Sequence, residues 1–202
     1  MKTRIAVFVS GGGTNLQALI DFQRDGKLKD GEIVLVISSN PSAYALERAA
    51  KADIKSVTVA KKDCATQQEF EEKIISELEE NGIEMIVLAG FMSILSADFT
   101  RRYEDRIINV HPSLIPSFCG KGMYGLRVHE SALSYGVKVT GATVHFVNEI
   151  PDGGKIILQK SVRILQSDNA ESLQKRVMKL AEWDILPRAT QMVAKAIRME
   201  KR

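Results

Sequence analysis

Asn109 and His111 stand two places apart at the end of the apolar run Ile107-Ile-Asn-Val-His111, and their types could do chemistry there. A carboxamide can donate N–H to a developing oxyanion, and an imidazole that titrates near neutrality can give and take a proton. Alternation along a strand sends both side chains to the same side. Pro112 restrains His111 to an extended backbone, and Pro116 closes the segment. Asp152, in the turn Pro151-Asp-Gly-Gly154, is the acid expected to return to the same edge, orient the ring and raise its pKa. Each residue also has a plainer reading, the histidine as a structural hydrogen-bonder and Asp-Gly as an ordinary turn pair.

A second chemical element lies near the start. Ser10-Gly-Gly-Gly-Thr-Asn15 follows one apolar run and opens a helical one, a geometry that points free backbone N–H groups and a helix dipole at an anion. It is a poor dinucleotide site, because Leu16 takes the third glycine position and Ser38-Ser-Asn40 offers no acid for a ribose. No P-loop pattern occurs either. A monophosphate suits the turn better, with a tight turn capped by Thr14 or Asn15 as the alternative.

The elements that must position these residues alternate. Apolar runs at Ile5 to Val9, Ile33 to Ile37, Val57 to Val59, Met85 to Ala89 and Ile107 to Val110 read as strands buried on both faces. Helical spacing separates them at Leu16 to Phe22, Ala43 to Ala52 and Phe70 to Leu78. The pattern predicts an α/β fold, a three-layer, doubly wound, mostly parallel sheet. After a Gly-rich loop, Cys119 to Gly125, and a short helix near His129 to Tyr135, Val139 to Val147 and Ile156 to Ile164 predict an antiparallel addition. A helical stretch from about 170 to 199, with a break at Pro187, closes the chain. A single domain over 1-202 is expected, with a phosphate-binding half to about 110 and a catalytic half beyond.

Composition narrows the partners. The 202 residues carry 28 basic and 25 acidic side chains, a formal charge of only +3, which argues against a nucleic-acid ligand and leaves a small anion open. The first apolar run is too short for a signal segment or a membrane span, so a cytoplasmic protein is expected. Cys64 and Cys119 read as ordinary free thiols, Cys119 keeping a minor claim as a nucleophile. His129 is expected to cap or face solvent, and His145 either lines a pocket or packs in the sheet. The histidine spacing gives no zinc pattern, so no metal is expected.

Four segments together resemble the phosphoribosylglycinamide formyltransferase family: Ser10 to Gln17, Leu88-Ala-Gly-Phe-Met92, Asn109 to Pro116, and Gly141 to Val147 leading to Asp152. The resemblance runs almost end to end. It implies a Rossmann-like formyltransferase fold and direct transfer of a formyl group from 10-formyltetrahydrofolate to the amine of glycinamide ribonucleotide, in purine synthesis. Transfer would pass through a tetrahedral intermediate with no covalent enzyme species.

Carried over residue by residue, the resemblance implies that Gly13, Thr14 and Asn15 cradle the 5′-phosphate. It assigns Lys179, Leu180, Ala181 and Glu182 to the ribonucleotide, with Glu182 gripping the glycinamide portion. Met92, Ser93, Ile94 and Leu95, Asn109, and the loop Asn148, Glu149, Ile150, Pro151 and Asp152 would line the folate pocket, with Gln67 where relatives carry a folate-binding arginine. Lys61, Lys62 and Lys121 are candidate replacements for that cation. Asn109, His111 and Asp152 match the catalytic trio: Asn109 donating to the oxyanion, a contact commonly worth roughly 3 kcal/mol, His111 acting as a cation that moves the proton, and Asp152 keeping it charged. Small-molecule substrates and a monomer or homodimer are implied. Competing readings are another folate-dependent formyltransferase, a formyltetrahydrofolate hydrolase, for whose regulatory domain 202 residues leave no room, and a non-catalytic nucleotide-binding module.

Overall fold

The computed structural model describes residues 1–201. Five strands follow the predicted apolar runs, β1 (Thr3–Val9), β2 (Gly31–Ser38), β3 (Lys55–Thr58), β4 (Met85–Leu88) and β5 (Ile107–His111), and all pair in parallel. β6 (Val139–Phe146) and β7 (Ile156–Arg163) then add antiparallel, giving a seven-stranded sheet of order β3-β2-β1-β4-β5-β6-β7. This is the expected doubly wound sheet with its antiparallel extension.

The helices are α1 (Thr14–Arg24), α2 (Tyr44–Lys51), α3 (Gln67–Glu80), α4 (Ala97–Arg102), α5 (Leu126–Tyr135), α6 (Ala170–Val177) and α7 (Trp183–Glu200). Strand alternation explains the three layers. Ile5, Val7 and Val9 of β1 join a core shared with α1, α2, α6 and α7, whereas Ala6 and Phe8 point into the other core, with Phe70 and Ile74 of α3 and Phe99 of α4. Each such fully buried aliphatic or aromatic side chain contributes roughly 1.5–3 kcal/mol of transfer free energy.

The break expected at Pro187 lies elsewhere. Pro187 is buried inside α7, and the interruption is a π-helical turn at Met178–Glu182, where the Trp183 N–H reaches back to the carbonyl of Met178. Such turns carry one extra residue and gather at functional sites. α4 is a further addition, capped by Ser96, whose hydroxyl accepts from the Phe99 N–H at 3.2 Å.

Strand order reverses between β1 and β4, so the loops leaving them diverge and open a crevice beyond their carboxyl ends. The glycine turn leaves β1 there, Gly90 to Leu95 leaves β4, and β5 ends there on His111.

Candidate active site

α1 begins without a side-chain cap. Its N-cap is Gly13, at φ 71°, where a Cβ would stand 2.7 Å from the Ala45 Cβ; side chains are excluded by both the backbone and the space. Among the described residues nothing accepts from the N–H groups of Gly12, Gly13, Thr14 or Asn15. Open donors at a positive helix end form an anion cradle.

Beyond it lies a cavity of about 600 Å³ lined by Thr14, Asn15, Asn109, His111, Asp152 and Glu182, with Phe91, Met92, Ile94, Tyr124 and Pro151 supplying apolar walls. Met92 is 57% exposed and Ile94 72%, an apolar mouth suited to a flat ring system. Of the Lys179–Glu182 run only Glu182 reaches the cavity: Ala181 is buried in the core, and Lys179 and Leu180 face outward. Met178 and Gln174 line it instead, and Lys121 sits exposed at its rim. Ser93, Leu95, Asn148, Glu149 and Ile150 stay outside the cavity wall. Gln67 does too; its amide donates to Glu71 at 2.6 Å and to the Ile94 carbonyl at 3.1 Å, supporting the segment that forms the mouth.

Asp152 comes to His111 as expected, its Oδ2 lying 3.5 Å from Nδ1. The other ring nitrogen, Nε2, lies 2.9 Å from the Phe118 carbonyl. A carbonyl only accepts, so Nε2 carries the hydrogen and the neutral ring turns a bare Nδ1 toward the carboxylate. Asp152 and Phe118 are both held at positive φ, 57° and 52°, a backbone that non-glycine residues rarely adopt. The two partners of one imidazole are thus both strained, a pattern that clusters at functional sites.

The charge state of His111 corrects the sequence expectation. Burial lowers its pKa below the ordinary 6.5, and Asp152 together with the bond to Phe118 only partly offsets this. The resting ring is neutral, and Asp152 would stabilise its cation only once a proton arrives at Nδ1. For Asp152 itself, burial would raise the pKa, but His145 and His111 beside it and the Gly120 N–H, which donates to Oδ2 at 2.8 Å, together hold it below the usual carboxylate value.

His145, left open between pocket and sheet, is buried and links the site. It stands opposite Asn109 in the β5–β6 register, and its Nε2 lies 3.3 Å from the Asn109 amide nitrogen and 3.5 Å from Asp152. Its Nδ1 lies 2.7 Å from the Phe146 carbonyl and so carries the hydrogen, leaving Nε2 to accept from Asn109. That fixes the amide's orientation and leaves its second N–H for the cavity.

Two further residues complete the wall. Glu182 is buried and accepts from the Asn15 amide at 2.8 Å; burial raises its pKa, and Asn15 partly offsets the rise. His129, expected at the surface, is fully buried on α5 with neither ring nitrogen partnered, and desolvation pushes its pKa down to about 4. Its burial follows from α6 packing across α5, which no local pattern announces.

The chain as a whole is similar to known proteins. A family model described as formyl transferase matches residues 3–190. The chain is 39% identical to a phosphoribosylglycinamide formyltransferase of Haemophilus influenzae over 91% of this chain and 84% of that one. It is 44% identical to the human trifunctional purine biosynthetic protein adenosine-3 over 96% of its own length but only 18% of that protein; the chain spans less than a fifth of the trifunctional relatives it matches. Among solved structures, a phosphoribosylglycinamide formyltransferase from Brucella melitensis superimposes with a TM-score of 0.88 at 39% identity, covering 96% of both chains. Matched along nearly its whole length by that family model and by relatives of similar size, the chain belongs to the formyl transferase family, in its phosphoribosylglycinamide formyltransferase group.

Proposed function

We propose that this chain transfers the formyl group of 10-formyltetrahydrofolate to the amine of N1-(5-phospho-D-ribosyl)glycinamide, acting as one unit in the cytoplasm on small-molecule substrates. The observation that carries this reading is a single cavity lined by Thr14 and Asn15 at the end of the glycine turn, Glu182, Asn109, His111 and Asp152 behind an apolar mouth. The co-substrate supplies an activated formyl group on a nitrogen that can leave. The residues fit it: Phe91, Met92, Ile94 and Pro151 offer apolar surface for a ring system in the same cavity as Asn109 and His111.

The free N–H groups from Gly12 to Asn15 bind the ribonucleotide's phosphate, and Glu182 holds the glycinamide end; remote binding energy thereby orients the amine. Asn109, oriented by His145, donates its free N–H to oxygen charge as the amine attacks. His111 accepts a proton at Nδ1 and returns one to the departing nitrogen. Asp152 stabilises the transient imidazolium, and proton transfer of this kind is commonly worth about 10² to 10⁴ in rate.

Incubation with 10-formyltetrahydrofolate, with and without glycinamide ribonucleotide, tests the reading. Loss of the formyl group only in the presence of the ribonucleotide is expected. Loss without it would identify a hydrolase, and no loss in either case would overturn the enzyme assignment.

A further inference from the structure

α2 grips the glycine turn from behind. The Ala45 N–H donates to the Gly11 carbonyl at 3.1 Å, and Arg48 donates from Nε to the Gly12 carbonyl at 2.8 Å and from Nη1 to the Gln17 side chain at 2.9 Å. The guanidinium carbon lies 5.0 Å from the centre of the Tyr44 ring, which fixes the plane of the fork. Gly13 packs on this same surface, a Cβ placed there meeting the Arg48 Cδ at 3.3 Å.

Three consequences follow. With their carbonyls drawn back toward α2, Gly11 and Gly12 leave the N–H groups at the start of α1 on the open side. Arg48 spends its bonds on neutral oxygens, and among the described residues no carboxylate forms an ion pair with it. Its positive charge therefore stands behind the turn with no direct ion pair, Asp21 being reached only through Gln17, and adds to the helix dipole. A lysine could keep that charge but not the planar two-point hold on Gly12 and Gln17.

We propose that Arg48 is a positioning residue for the substrate's phosphate: it fixes the glycine turn in its donor-outward form and strengthens the turn's attraction for a dianion without touching the reacting atoms. The proposal rests on the phosphate reading of the turn given above.

Kinetics of the intact chain, Arg48→Gln and Arg48→Lys test it, with ribose 5-phosphate as a competitor of glycinamide ribonucleotide. In Arg48→Gln the KM for the ribonucleotide and the inhibition constant of ribose 5-phosphate should rise together by roughly tenfold. Its kcat and its KM for 10-formyltetrahydrofolate should stay within about twofold of the parent, since uniform binding alone is lost. Arg48→Lys should recover part of the affinity. Unchanged constants in Arg48→Gln, with competition intact in the parent, would overturn the role of Arg48 alone. A joint decline of kcat, both KM values and the melting temperature would reduce it to fold support. Failure of ribose 5-phosphate to compete in the parent would remove the phosphate reading and this proposal with it.

Discussion

Replacing His129 with leucine should make the chain less sensitive to acid. The imidazole is fully buried, has no partner at either nitrogen, and holds its pKa at about 4 against an ordinary 6.5. The unfolded chain therefore binds this proton more tightly than the folded one, so stability is complete above about pH 6.5, falls as pH drops toward 4, and levels off below that. The full loss amounts to about 3 kcal/mol, and at pH 5.5 the linkage relation gives about 1.4 kcal/mol. With a urea dependence of about 1–3 kcal/mol per molar, the wild-type midpoint should fall between pH 7.5 and 5.5 by about 0.5–1.4 M more than that of His129→Leu. Leucine nearly conserves the volume, which keeps a cavity term out of the comparison. Trp183 is the chain's only tryptophan and opens α7, so its fluorescence can follow unfolding. Parallel decline of the two midpoints would refute a buried, neutral His129. His111 is present in both proteins, and the coupling by which its charge lowers the pKa of His129 is part of the difference that the two midpoints read.

Two other perturbations separate the roles assigned to the site. Asp152→Asn removes the group that raises the pKa of His111, so the acid limb of kcat/KM, set by loss of the neutral ring as pH falls, should move to lower pH while the plateau drops by about 10² to 10⁴. A pH–rate profile decides it, and a limb moving upward would contradict the proton path. Gly13→Ala should cost roughly 1–3 kcal/mol through its positive φ and its collision with Ala45, whereas Gly12→Ala, with open space at its Cβ, should lie within roughly 0.5 kcal/mol of the parent in a urea titration.

Those parts of the molecule that obey a repeating local rule were legible beforehand. The continuous apolar runs fell where β1, β2, β4 and β5 lie, because strands covered on both faces leave no room for polar interruptions. Asn109, His111, Asp152 and Glu182 were readable by type and family motif, and they line one cavity. What escaped depends on tertiary environment. The link from Asn109 to His145 needs the β5–β6 register, and the burial of His129 needs α6 against α5. The resting charge of His111 turns on a balance between desolvation and a carboxylate that no motif encodes. α4 is six residues long, too short to show a period.

The π turn at Met178–Glu182 has a consequence for how this chain can change. A screw of 3.6 residues per revolution advances its angular phase by about 100° for every residue inserted or removed. Leu173 and Val177 of α6 face the core before that offset, whereas Glu182, at its end, faces a ligand cavity and Ile185, Leu186 and Ala189 follow it into the core. Losing one residue from the turn would straighten the helix and rotate Leu173 and Val177 against Glu182 and the core face of α7. Substitutions along α6 and α7 can therefore accumulate singly, but a change of length between them sets catalysis and folding in conflict.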